Sequence, residues 1–304
     1  MSNNNNFTIQ QLMDAGVHFG HRTMRWNAKM QPYIYGSRNN IHIIDLQKTA
    51  PLLNKALNVA KEVAQKNGRI LFVATKRQAS TIVAEAAEKC GQYFVNYRWM
   101  GGTLTNWNTV SKSIKTLNTL EKRLVDPEIT ISKKERLQNQ RQINKLQMAL
   151  GGIRSMGGKP DLLFVIDTNR ENIAILEARK LGIPVIAIVD TNCDPDGIDH
   201  MIPGNDDSIK SIRLFCNLMA DSVLSGLSKS MAARNQKDKE EAPQDKAKKH
   251  SINKPAAKTE TKPQAAEMVI EDKDAEIEAA AKAAKPQKKA APAATAEKKK
   301  SAKK

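Results

Sequence analysis

The chain has 304 residues, with 49 Lys and Arg against 32 Asp and Glu, and a formal net charge of +17. That length holds one large domain or two small ones, and the excess of positive charge points to a polyanionic partner, nucleic acid above all. No apolar run approaches the roughly 20 residues of a membrane helix. Cys90, Cys193 and Cys216 lack the spacing of a disulfide framework or a cysteine zinc site, and read as buried thiols.

In chain order, "MSNNNNFTIQ" has neither the charged nor the apolar region of a secretory signal, so a cytoplasmic location is expected. "GVHFGHR" then sets His18 and His21 three residues apart. With Asp190 or Asp206 in reach, the pair can in principle hold a metal. The simpler reading is that these histidines cap turns or meet RNA phosphates, and no metal is expected. The stretch "HRTMRWNAKMQPYIYGSRNN" follows, in which Arg22, Arg25, Lys29 and Arg38 are interleaved with Trp26 and two tyrosines. Cations of this kind pair with phosphates, and exposed aromatics stack on unpaired bases.

From residue 41 short apolar runs alternate with helical patterns. Strands are predicted at Ile41–Asp45, Arg69–Thr75, Gln92–Asn96, Asp161–Asp167 and Pro184–Asp190. Their near-continuous Val, Ile, Leu and Phe suit parallel strands covered on both faces. Helices are predicted over residues 49–68, 77–91, 169–182 and 206–227, the first three ending at a glycine. The alternation predicts an open, doubly wound parallel α/β sheet. After the third strand, "NYRWMGGTLTNW" again sets an arginine, Arg98, among aromatics, and holds Trp99 and Trp107. At least one of the tryptophans is expected to pack inside instead of facing a ligand.

Residues 105–150 contain no strand signal but two helical stretches split by "VDPEITIS". Val110, Ile114, Leu117 and Leu124 fit an a/d seam on the first, and Leu137, Ile143, Leu146 and Leu150 continue one on the second. "SKKE" opens the second as a capping box on Ser132. An inserted antiparallel coiled-coil hairpin is predicted. Its outer face carries Lys112, Lys115, Lys122, Arg123, Lys133, Lys134, Arg136, Arg141 and Lys145 against four acids. Charge is normal on a solvated helix, but a single sign favours contact with a phosphate backbone.

"LGGIRSMGGKPD" invites comparison with a phosphate loop. The position of the first required glycine is Ile153, Pro160 replaces the Ser/Thr, and the loop leads into a strand instead of a helix. "VATKRQAS" and "VIDTNREN" hold no glycine, so the dinucleotide fingerprint is missing too. "TNCDPDGIDHMIP" imitates a calcium loop, but its twelfth position is Pro203 where a bidentate Glu is required; Asx turns account for it. No catalytic triad signature is found. Beyond about residue 230 the chain is Ala, Lys, Pro and Glu, and residues 234–304 carry 19 basic and 12 acidic side chains. Such a tail buries too little apolar surface to order itself and is expected to be disordered; Glu271–Ala284 can form at most a transient helix.

The blocks "AGVHFGHRTMRWNAKMQPYIYGSRNNIHIIDLQKT", "ILFVATKRQAS", "FVNYRWMGGTLTNW", "MGGKPDLLFVIDTNRENIAILEARKLGIPVIAIVDTNCDPDG" and "IPGNDDSI" resemble, in order from about Thr8 to about Leu227, the family of bacterial small-subunit (30S) ribosomal protein two (S-two). The resemblance implies a flavodoxin-like α/β domain over residues 1–230, with the hairpin inserted at 105–150 and a basic tail over 231–304. It implies a non-enzymatic, ribosome-associated component that binds small-subunit (16S) rRNA and neighbouring small-subunit proteins, and helps dock the largest of them. No cofactor, membrane or small-molecule substrate is implied. From the residues themselves, RNA contacts are expected at Arg22, Arg25, Lys29, Lys76, Arg77, Arg98 and Trp99, and at Lys112, Lys115, Lys122, Arg123, Lys133, Lys134 and Arg136 of the hairpin. Two other classes stay in view: a nucleotide-using enzyme on the same sheet, and an adaptor acting mainly through its basic tail.

Overall fold

The structure is a computed structural model that describes residues 7–126 and 132–240. The connection at Pro127 and, from residue 241 on, the tail with its expected disorder and transient helix lie outside the described residues. The chain opens with α1 (Ile9–Asp14), whose first turn is closed by a reciprocal Thr8–Gln11 capping box. Next come β1 (Phe19–Arg22), β2 (Ile34–Arg38), β3 (Ile41–Ile44), α2 (Leu46–Gln65), β4 (Ile70–Val73), α3 (Arg77–Lys89) and β5 (Tyr93–Val95). Then follow α4 (Trp107–Val125), α5 (Lys133–Leu150), β6 (Leu162–Ile166), α6 (Asn172–Leu181), β7 (Val185–Val189), β8 (His200–Pro203) and α7 (Ile209–Glu240).

The predicted α/β alternation produces a parallel five-stranded sheet of order β5-β4-β6-β7-β8. Every residue of β4, β6 and β7 is buried, as double coverage demands. Ile70, Phe72, Phe164, Ile166 and Ile188 face a core shared with α2, α3 and α7. Leu71, Val73, Val165, Ala187 and Val189 face the opposite core, with α6 and the root of α4 and α5. Phe72 and Phe164 meet edge to face, ring centroids 5.4 Å apart, a geometry that adds about 0.5–1.5 kcal/mol to their area burial.

Two strand assignments change. Ile41–Asp45, whose pattern predicts a place in the parallel sheet, instead forms β3 at the centre of a separate antiparallel sheet of order β1-β3-β2. The reason is local: Asn39 and Asn40 both adopt positive φ, at 52° and 60°, so β2 and β3 close through a two-residue type I′ turn. Conversely, β8 lies inside the stretch expected to be an Asx-turn loop; it pairs with β7, Ile188 facing Ile202. Four residues ending in proline give too short a pattern to detect.

Helices α4 and α5 pack against each other. Val110, Ile114 and Leu117 are buried on α4 and Ile143 and Leu150 on α5. Leu137, expected in the seam, is 54% exposed, and Asn139 is buried instead. The seam on α5 therefore follows Asn139, Ile143, Leu146 and Leu150. Ser132 caps α5 by accepting from Glu135 N at 3.2 Å. The Glu135 carboxylate reaches across to Arg123 at 3.1 Å and so ties α5 to α4.

The glycine-rich stretch ends α5 and turns into β6. A Cβ on Gly152 would lie 2.2 Å from Phe94 O, so only glycine lets this turn press against β5. Gly152→Ala should lower the melting temperature of the full chain by roughly 4–12 °C, as overpacking would. Gly101→Ala, with nothing within 4 Å of the new Cβ, should change it by less than about 2 °C in the same melt. Equal melting of the two variants would contradict the close approach.

Candidate nucleic-acid interface

The carboxyl ends of β4, β6 and β7 bring one charged cluster together. β4 runs on into Lys76, β6 into Asp167, and β7 into Asp190, while Asp206 and Asp207 follow β8. Lys76 is buried, and its Nζ lies 3.0 Å from Asp206 Oδ1, 2.5 Å from Asp207 Oδ1 and 3.5 Å from Asp167 Oδ2. Asp167 adopts φ 66°, a left-handed conformation that Asp tolerates, and its Oδ1 accepts from Arg170 N at 3.2 Å. His21 Nδ1 stands 2.9 Å from Asp190 Oδ2, and His21 N donates to Thr191 Oγ1 at 2.9 Å. This last bond ties β1 to the parallel sheet.

The titration follows from that geometry. Burial works against the Lys76 charge, but Asp206 with Asp207 and Asp167 outweighs it and holds the ammonium above the usual lysine range. Burial also pushes the Asp206 carboxyl up to about 7, reinforced by repulsion from Asp190 and opposed by Lys76. The hydrogen bond to Asp190 raises His21 despite its partial burial. Ligand atoms of His21, Asp190 and Asp206 lie within 4.8 Å of one another, as do those of Asp167, Cys193 and Asp206. An imidazole and two carboxylates suit a divalent cation in kind, but Lys76 competes for Asp206. His18 is outside this group, its ring packed at a tilt against Phe19 with centroids 4.0 Å apart. With three carboxylates around it, the Lys76 expected on RNA is turned inward, in surroundings that repel phosphate. It is a core counter-charge.

A second buried acid organises the loop after β5. The Glu177 carboxylate on α6 accepts from Trp99 Nε1 at 3.1 Å, Gly102 N at 2.7 Å, Leu104 N at 2.9 Å and Thr105 N at 3.0 Å. Burial opposes ionisation there, but these bonds prevail and lower its pKa. Trp99 is buried, so its ring presents no face to a base; its role is to anchor the loop. Its neighbours Tyr97 and Arg98 point outward and are exposed.

The remaining expected contacts are accessible. Arg22, Arg25, Arg77 and Arg98 are exposed, as are Lys112, Lys115, Lys122, Arg123, Lys133, Lys134 and Arg136, together with Arg141 and Lys145. Lys29 is exposed but clasped by Asp194 and Asp196 of the calcium-like loop, an ion pair weak enough for a phosphate to displace. Beside it β1 and β2 expose Phe19, Tyr35 and, next to them, Met24 and Trp26. Sequence reasoning missed Glu177, Asp167 and Asp207. The one available signal was that two predicted strands end in an aspartate, Asp167 and Asp190, and that Lys76 directly follows a third.

Two results are expected from this cluster. Lys76→Met leaves buried carboxylates without their counter-charge and should cost about 3–5 kcal/mol in urea unfolding at neutral pH; Lys76→Met with Asp206→Asn should recover part of it. Second, folded Asp206 and His21 both hold protons that the unfolded chain releases, so stability should fall as pH rises. Between about pH 6 and 8 the loss should be on the order of 1 kcal/mol, and Asp206→Asn should flatten it. A slope of the opposite sign in that window would refute the assignment.

Residues 12–226 match the family model described as Ribosomal protein S2. The chain is 59% identical over 227 residues to the small ribosomal subunit protein uS2 of Bartonella henselae, covering 75% of this chain and 88% of the relative. It is 61% identical to that of Caulobacter vibrioides, with 75% and 85% covered. To that of a Ruegeria species it is 57% identical, with 75% and 89% covered.

Proposed function

The chain belongs to the Ribosomal protein S2 family, a structural and non-enzymatic component of the small ribosomal subunit, and we propose that it grips 16S rRNA through α4, α5 and the loops around Arg22 and Arg98. The observation that carries this reading is the segregation of charge. Every one of the nine basic side chains expected on the hairpin is exposed, while the carboxylates of the sheet edge are gathered around Lys76. Phosphates are thus attracted to the exposed cations, while the buried carboxylates are neutralised inside the domain. The body, residues 1–230, acts as a frame, the coiled-coil hairpin of 105–150 as an arm, and the basic tail of 231–304 adds non-specific attraction.

The largest small-subunit protein docks, in this reading, on the face formed by β1 and β2. Phe19 on β1, Tyr35 on β2 and Met24 in the connection between them are 49%, 80% and 93% exposed, and exposed apolar side chains on neighbouring segments suit a protein partner. No described helix is long and apolar enough to cross a membrane, and the cytoplasmic ribosome is the expected place of action.

Replacing Lys112, Lys115, Lys122 and Arg123 with Glu should weaken co-sedimentation with small subunits at least tenfold and reduce the salt slope by about 0.7–0.9 for each phosphate no longer neutralised. Circular dichroism should be unchanged, because all four side chains face solvent and the exposed Arg123–Glu135 pair that is lost is worth under about 1 kcal/mol beside the apolar seam. Deleting residues 234–304 should lower mainly non-specific retention. Undiminished association of the reversed hairpin, or loss of association on tail deletion alone, would move the RNA grip elsewhere.

A further inference from the structure

The loop after β5 is fixed at both ends and displays two residues between them. On one side, Ser80 Oγ donates to Asn96 O at 2.7 Å and Asn96 Nδ2 donates to Ser80 O at 3.1 Å. On the other, Trp99 is buried and bonded to Glu177. Tyr97, between these anchors, is 59% exposed. An aromatic ring held this rigidly toward solvent has no packing reason to be there.

Beside it lies a cleft of about 340 Å³ between β5, α3 and the end of α5, at the small end of the range for ligand sites. Tyr97, Phe94 and Met148 give it apolar walls, and Asn96, Gln147 and Glu88 give it polar ones. Ser80, Gly151 and Gly152 complete the lining, and a Cβ on Gly152 would collide with Phe94 O. Exposed Arg98 follows Tyr97 in the chain, and exposed Lys145 lies one helical turn before Met148, on the same face of α5.

We propose that this cleft receives one unpaired nucleobase of the small-subunit rRNA, stacked on the Tyr97 ring. The inference rests on the rRNA-binding reading above. Flat apolar walls suit the faces of a base, two side-chain amides and a carboxylate suit its hydrogen-bonding edge, and the flanking cations suit the phosphates on either side. Glu88 accepts only, so it takes an N–H of the base edge, an exocyclic amine or the ring N–H of guanine or uracil. An apolar protein side chain would cover the Gln147 amide and the Glu88 carboxylate without giving either a hydrogen-bond partner.

The test uses small subunits depleted of this protein and rebuilt with the full-length chain. Ultraviolet crosslinking with mass spectrometry should yield a nucleotide adduct on the peptide containing Tyr97. Chemical probing should find one unpaired base protected by the chain and by Tyr97→Phe, but reactive with Tyr97→Ala. Tyr97→Ala should weaken subunit binding about tenfold, with its melting temperature unchanged because the ring is exposed. Normal association without protection of any base by Tyr97 would overturn the cleft assignment and leave the rRNA-binding reading intact, as would a Tyr97 adduct to another protein. Failure of the wild-type chain to associate at all would remove both.

Discussion

Double coverage of the parallel sheet is the constraint from which the rest follows. With β4, β6 and β7 buried on both faces, no side chain of the central strands can meet a partner. Polar groups must leave the sheet where strands become loops, and desolvation makes every charge that remains inside find an opposite one. That is why Lys76, Asp167, Asp190 and Asp206 occur together at one edge, and why Glu177 is surrounded by donors. The buried charges are consequences of the sheet and serve to fix the loops that leave it.

Those fixed loops carry the surfaces. Glu177 collects the indole and three backbone amides of one loop, so a single buried negative charge determines where Tyr97 and Arg98 point. His21 does the equivalent for β1 by binding Asp190 and Thr191, which sets the position of exposed Phe19 and Arg22. The hairpin obeys a different rule. Its cross-tie, Arg123 to Glu135, is exposed and worth under about 1 kcal/mol; its apolar seam holds the two helices together and leaves the basic side chains available to a partner.

The parallel strands were legible because buried β-strands have a strong local pattern: "LLFVI" and "VIAIV" admit few other readings. Helix α5 was legible through Ser132 and its spacing, though the seam residue Leu137 was misplaced by two positions because Asn139 is buried against expectation. The antiparallel sheet was concealed by its polar alternation, with only Asn39-Asn40 marking the turn. The charged cluster was illegible for another reason. Lys76, Asp167 and Asp206 are distant in sequence, and only strand order makes them neighbours. A lysine following a strand reads the same whether it faces solvent or three carboxylates, and burial alone separates the two.

Asp206 shows how far such a cluster can imitate catalysis. A carboxyl held near 7 is what a general acid–base needs, and a perturbed carboxyl at the carboxyl ends of parallel strands is a usual sign of an active site. The physical origin of the shift argues otherwise. Burial and the neighbouring Asp190 raise it, and Lys76 binds the same carboxylate at 3.0 Å. At 1% exposure Asp206 offers a substrate no access. A general base has to give its proton to something that enters and leaves. Here the proton and the ammonium serve the same end, keeping four carboxylates compatible with the inside of a structural, non-enzymatic component of the small ribosomal subunit.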